Sequence, residues 1–247
     1  MTLLGELMLM RSEGRAPMGA LVIRRILVAS VFLWIVQLHV SLAAAEVNAP
    51  LQRFLAGQTN LQTWSADLTQ IRQLKTLTQP LTSTGRVWFA APNKFRWEIG
   101  SPAQTIAVRG GNEMLVIYPR LKRVEKYPLA GESMGPWKDT LALLEAGFPR
   151  SESEIEARFK VLSVTPTNDF LQAALQPKSS SARRMMPLIT IAFATNNFQL
   201  RATELQFGDG STMRNEFRNA VLNPKLDEIL FAPRLDPDFK IVEPMKR

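Results

Sequence analysis

The stretch from Thr84 to Ile99 limits the possible folds of this chain more than any other. Two runs rich in β-branched and aromatic residues, Arg86 to Ala90 and Lys94 to Ile99, flank Pro92-Asn93. That is the pattern of a β-hairpin with a short turn. The second run alternates cleanly: Phe95, Trp97 and Ile99 share one face, and Lys94, Arg96 and Glu98 the other. A strand written this way belongs to an antiparallel sheet with one apolar and one wet side. What covers the apolar side is the functional question.

Before the hairpin lies an export signal. Arg24-Arg25 precedes an apolar run from Ile26 to Val40, and Ser41-Leu42-Ala43-Ala44-Ala45 supplies the small residues of a cleavage site. Residues 1–45 therefore read as a secretory signal peptide cut between Ala45 and Glu46, with Met18 as an alternative start. The other reading, an uncleaved anchor, needs roughly twenty apolar residues, and Gln37 and His39 interrupt a shorter run. The expected location is the periplasm. No cysteine follows the apolar run, so no acyl anchor is expected.

Export decides what chemistry is left. The chain has no cysteine and one histidine, His39, which leaves with the signal peptide. The mature part thus lacks disulfides, thiolate ligands, the usual neutral-pH base and the best nucleophile. Neither a nucleophile elbow nor a phosphate-binding loop occurs, so no enzyme, metal or cofactor is expected. The mature balance is 26 basic against 20 acidic residues, or +6. Without a basic run or a nucleic-acid motif this reads as a solvated, mildly basic surface, and nucleic acid is not an expected partner.

Taken in order, 47–58 has apolar residues at Val47, Leu51, Phe54 and Leu55, the spacing of an amphipathic helix capped by Asn48. Leu61 to Thr78 reads as a strand whose alternation slips at Ile71 and Leu74. After the hairpin, Thr105 to Val108 and Met114 to Tyr118 are joined by Arg109-Gly110-Gly111-Asn112. Lys122 to Tyr127 follows, Arg123, Glu125 and Tyr127 alternating with Val124 and Lys126, in a meander whose polar face has the mixed charges of an exposed one. Trp137, Leu141, Leu144 and Phe148 predict a short helix over Lys138 to Ala146. Ser151 to Glu156 reads as another short helix or loop. Strands resume at Phe159 to Thr165 and Phe170 to Gln176, and Lys178 to Met186 reads as a basic loop. Leu188 to Phe193, Leu200 to Phe207 and Thr212 to Asn219 follow, the last two joined by Gly208-Asp209-Gly210. With no linker or composition break, residues 46–247 read as one domain.

Strands outnumber helices, so a single antiparallel sheet must form a sandwich, close into a barrel or curl round a few helices. Two short helices cover such a sheet poorly. A curled sheet under a helical lid leaves an apolar cavity.

Gly-Arg-Val-Trp-Phe-Ala-Ala-Pro-Asn-Lys-Phe-Arg-Trp-Glu (Gly85 to Glu98), then Pro102, Gly110-Gly111-Asn112 and Leu115-Val116-Ile117-Tyr118-Pro119, resembles the periplasmic outer-membrane lipoprotein carrier family, LolA. Leu175-Gln176-Pro177-Lys178 and Phe231-Ala232-Pro233 continue the likeness over essentially the whole mature chain, the hairpin being its specific part. The resemblance implies an unclosed, half β-barrel lidded by short helices, whose interior holds lipoprotein acyl chains. It further implies a monomeric carrier that receives cargo from an inner-membrane ABC transporter complex and passes it to an outer-membrane acceptor. Burying acyl chains is worth about 0.8 kcal/mol per methylene, so such a carrier needs a large apolar cavity and no catalytic group.

By that resemblance Phe95 and Trp97 line the cavity, with Trp88 beside them; alternation adds Ile99, Met114 and Val116. Leu51, Phe54, Leu141 and Leu144 are the expected lid faces. In the resembled family an arginine directly precedes the hairpin proline and bonds to the lid; here that position is Ala91, and Arg96 is the substitute candidate for a polar lid contact. The departure bears on cargo, because some relatives work with RND-type exporters and handle glycolipids or other hydrophobic products. A third expectation is an envelope-stress sensor with the same half-barrel. Such regulators carry a second domain after the barrel, and the chain ending at Arg247 favours a carrier.

Overall fold

The computed structural model describes residues 49–129, 151–167 and 169–244. The expected signal peptide, Asn48 and the helix expected over Lys138 to Ala146, with Leu141 and Leu144, lie outside the described residues. Twelve strands form one sheet: β1 (Thr63–Gln73), β2 (Leu81–Ala90), β3 (Lys94–Ile99), β4 (Thr105–Arg109), β5 (Glu113–Tyr118), β6 (Arg123–Pro128), β7 (Phe159–Pro166), β8 (Phe170–Pro177), β9 (Leu188–Ala194), β10 (Leu200–Gln206), β11 (Thr212–Leu222) and β12 (Lys240–Val242). Three helices are described, α1 over residues 49–58, α2 (Glu152–Arg158) and α3 (Ser180–Met185). The fold is mainly β with a few short helices, as the alternation and the resemblance implied.

The strand order is β12-β6-β5-β4-β3-β2-β1-β11-β10-β9-β8-β7. Tight turns generate most of it, since a polypeptide turning back after a few residues can pair only with the strand it has just left. The exceptions are β1 against β11, which joins two meanders across about 150 residues of sequence, and the short parallel pair β12 with β6. The end strands β12 and β7 do not pair with each other, so the barrel stays open.

One main cluster fills one face of the sheet. Leu51, Phe54 and Leu55 of α1 pack there against Trp64, Ala66 and Leu68 of β1, Val87 and Phe89 of β2, Phe217 of β11, and Ile191 and Phe193 of β9. The opposite face of β4–β6 has its own cluster, Val108, Ile117 and Val124, covered by Leu235 and Phe239 of the C-terminal segment. That segment is strapped on by the Lys94–Glu228 pair at 2.5 Å, by Arg96 Nη1 donating to the Leu230 carbonyl at 3.1 Å, and by the Lys122–Asp238 pair. Gly110 makes the strap possible, because a Cβ there would lie 2.0 Å from the Phe231 carbonyl oxygen.

Three local expectations are corrected. β1 keeps one phase through Trp64, Ala66, Leu68 and Gln70 and stops at Gln73; Ile71 faces the other way and Leu74 lies beyond the strand, while the irregularity sits in the pairing with β11 between Ser65 and Asp67. Lys178 to Met186 is not all loop: α3 forms within it, capped by Ser179, whose hydroxyl accepts from the Ala182 amide at 3.4 Å. Six residues are too few for a helical period to show in sequence. Finally, the face of Glu125 and Tyr127 is not the open one. It is shared with Phe95 and Trp97, while Val124 lies under the C-terminal strap.

Candidate functional site

The main cluster and its extension line the inner face of the open barrel. In antiparallel pairs, directly opposed residues project to the same side. Trp97 opposes Val87 on β2 and Ala107 on β4, and Ala107 opposes Val116 on β5. Phe95 likewise opposes Phe89 and Arg109, and Arg109 opposes Met114. Phe95 and Met114 are buried together with Tyr127; Trp97 and Val116 are half-buried against them. Ile99 is half-buried against the main cluster. Five of the six residues expected on the cavity wall therefore share one face.

Trp88 does not join them. It opposes Arg96 and Ser65, on the other face of β2 from Val87 and Phe89, and the Arg86 guanidinium lies over its ring, 5.5 Å from the centroid. Strand alternation requires this, because Trp88 is out of phase with the buried pair on either side of it. Arg96 also departs from expectation. Its side chain pairs with Glu98 at 2.7 Å and donates to the Leu230 carbonyl at 3.1 Å, which places it against the C-terminal strap on the face opposite Phe95 and Trp97. Ala91 itself packs against the main cluster.

Of the expected lid residues, Leu51 and Phe54 are buried in the main cluster. Phe54 stacks on Phe193 with centroids 4.6 Å apart and planes 17° apart, fixing α1 over β9. Trp64 and Trp97 both meet Phe217 edge-on, at 5.3 and 6.0 Å. These aromatics join the two meanders where β1 meets β11.

The wall changes character towards β6. Val116 opposes Glu125, and Met114 opposes Tyr127, so a carboxylate and a phenol stand on the inner face. The Tyr127 hydroxyl donates to Glu125 Oε2 at 2.8 Å, and Arg123 Nη2 donates to Glu125 Oε1 at 2.6 Å. Burial, then the hydrogen bond to Glu125, pushes the Tyr127 phenol up to about 12. Tyr118, on the same face, is also raised, by burial and then by the Glu125 charge. Burial, and then the like charge of Arg158 at the end of α2, holds the Arg109 guanidinium below its ordinary value. Among the described residues no group of three or more His, Cys, Asp or Glu is placed to hold a metal.

Sequence reasoning missed Phe217 as the shared partner of Trp64 and Trp97, and missed Arg109, Glu125 and Tyr127 as residues of the inner face. Phe217 reaches both only because β11 pairs with β1 across some 150 residues. The second set alternated legibly, but alternation does not say which face is inside.

The family described as "Outer membrane lipoprotein carrier protein LolA" matches residues 59–234. The chain is 28% identical over 209 residues, 82% of its length and 91% of the relative's, to an outer-membrane lipoprotein carrier protein of Cupriavidus pinatubonensis. Among solved structures it resembles an uncharacterized conserved protein from Thermus thermophilus (TM-score 0.47, 10% identity, 81% of this chain and 99% of that one). It also resembles a LolA superfamily protein from Nitrosomonas europaea (TM-score 0.39, 9% identity, 74% and 96%). With a match that spans well over half of its 247 residues, the chain belongs to the LolA family of outer-membrane lipoprotein carrier proteins.

Proposed function

We propose that this chain is a periplasmic carrier that shelters the acyl chains of lipoproteins against the inner face of its open barrel and moves them from the inner to the outer membrane. Cargo is taken from an inner-membrane ABC transporter complex and released to an outer-membrane acceptor; the carrier performs no covalent chemistry. The observation that carries the reading is the half-covered apolar wall of Trp97, Ile99, Ala107 and Val116 beside a fully packed core. Single half-buried apolar residues are ordinary, but these four share one face of neighbouring strands and form a contiguous apolar strip on which an acyl chain can lie.

Ala91 favours a second reading, in which the cargo is a glycolipid or another hydrophobic product of an RND-type exporter. A methyl group packed on the apolar cluster provides no polar latch where the resembled carriers have an arginine. Mass spectrometry of the protein gently purified from its native periplasm separates the two. Co-purifying triacylated lipoprotein supports the first, free glycolipid or another lipid supports the second, and a tightly packed protein without lipid returns Phe95 and Trp97 to ordinary core.

A further inference from the structure

One end of the sheet combines exposed apolar side chains with positive charge. It forms where β1 runs out at Gln73, where β10 turns into β11, and where α3 ends. These segments are joined by the Lys75 amide donating to Ser211 Oγ at 3.4 Å, by Gln73 Nε2 donating to the Leu77 carbonyl at 3.1 Å, and by the Gly208 amide donating to the Met185 carbonyl at 2.8 Å. Gly208 is required for that approach, since a Cβ there would lie 2.2 Å from the Arg184 carbonyl oxygen. A groove of about 560 Å³ runs between them, lined by Leu74, Met185, Phe207 and Met213 with Arg72 and Arg184. Phe207 and Met213 also pack on the main cluster, so the floor of the groove abuts the core.

Met185 in the lining is 40% exposed; beside the groove Leu81, directly opposite Arg72, is 47% exposed and Leu77, whose carbonyl accepts from Gln73, is 40% exposed. Single exposed apolar residues are ordinary; three gathered at one groove and ringed by cations are not. Arg72, Lys75, Arg183 and Arg184 are exposed here. The acid among them is Asp209, whose carboxylate accepts from the Ser211 amide at 2.9 Å. Apolar tips that reach the acyl boundary, ringed by Lys and Arg that meet phosphates, are how proteins rest on anionic bilayers. An acidic protein patch would match the cations but would leave the three apolar tips without a role.

The geometry points to this end as a seat for an anionic bilayer: Leu77, Leu81 and Met185 enter the acyl boundary, and Arg72, Lys75, Arg183 and Arg184 meet the lipid phosphates. The groove then lies on the path between bilayer and interior. That use of the groove rests on the carrier reading, whereas the docking does not.

The test is flotation of the exported protein with vesicles of phosphatidylcholine, alone or mixed with phosphatidylglycerol. The protein floats with the mixed vesicles, does not float with phosphatidylcholine alone, and is released at about 1 M salt, where the Debye length falls to roughly 3 Å. A Leu77→Ser/Met185→Ser variant and an Arg183→Glu/Arg184→Glu variant, each checked for folding by circular dichroism, lose binding by about tenfold or more. Absence of flotation with the mixed vesicles, or flotation indifferent to both variants, overturns the proposal. So does retention of the unmodified protein and of the Leu77→Ser/Met185→Ser variant on an immobilised acidic peptide, lost in the charge-reversal variant alone, which identifies an acidic protein as the partner. Uptake of a fluorescent fatty acid from solution by the unmodified protein is measured in parallel. If the unmodified protein floats but takes up no probe, the carrier reading fails and the docking stands.

Discussion

Trp64 and Trp97 meet the same ring, Phe217, yet stand in different surroundings. Trp64 is 1% exposed in the main cluster, whereas Trp97 is half-buried between two clusters. Truncating a fully buried Trp costs about 3–5 kcal/mol, so Trp64→Ala is expected in that range by urea denaturation, and Trp97→Ala at roughly half of it. Trp97→Ala should instead weaken binding of a fluorescent acyl probe severalfold. Equal losses of stability in the two variants, with probe affinity unchanged in Trp97→Ala, would assign Trp97 to plain core. The phenols give a second prediction. The chain has two tyrosines, Tyr118 and Tyr127, and both are held above the ordinary value near 10. Because the folded value is the higher one, each contributes stability that is complete below pH 10. For Tyr127 that stability is lost as pH rises from 10 through about 12. Tyrosinate absorbance of the native protein should therefore remain low at pH 10. Half-ionisation at that pH would contradict the burial of Tyr127 beside Glu125, and Tyr127→Phe should flatten the alkaline loss of stability.

Among elements, the C-terminal strap shows most directly how one segment determines the use of another. Val108, Ile117 and Val124 make one face of β4–β6 apolar, and without Leu235 and Phe239 that face would be open to water. Covering it outside leaves the inner face free to carry Arg109, Glu125 and Tyr127. Gly110→Ala forces the strap away from the β4–β5 turn, since the new methyl would overlap the Phe231 carbonyl. Overpacking of this kind costs about 1–3 kcal/mol. The expected result is a lower thermal midpoint with earlier proteolytic cleavage after residue 225; a midpoint and digestion pattern equal to the parent's would show that the strap yields freely. α1 is held differently, by Phe54 on Phe193 and by Leu51 and Leu55 in the same cluster. Its apolar stripe at 51, 54 and 55 marks it in the sequence as a covering helix.

At the scale of the whole molecule, a sheet that does not close can admit a long apolar guest without breaking a strand pair, because its end strands β12 and β7 are not joined. Binding such a guest stabilises the folded state by RT ln(1 + [L]/Kd), about 2.7 kcal/mol at a hundredfold excess over Kd. The delipidated protein should thus gain thermal stability steadily with the logarithm of added acyl ligand, read by calorimetry. A midpoint independent of ligand concentration would count against a binding cavity.

The amino-acid sequence by itself determined the antiparallel hairpins, the apolar alternation of Phe95, Trp97 and Ile99, the apolar stripe of α1 and the family. Each depends on residues close in the chain or on a local motif. Tertiary structure alone decided that β1 joins β11, that Trp88 faces away, that Arg96 holds the strap, and that Glu125 and Tyr127 stand inside. The reason is that period-two alternation makes the two faces of a strand distinguishable without naming either as inner. That assignment is made by what packs on each face, and here decisive packing residues, Phe217 against Trp64 and Trp97 and Leu235 and Phe239 against the cluster of Val124, come from segments more than a hundred positions away.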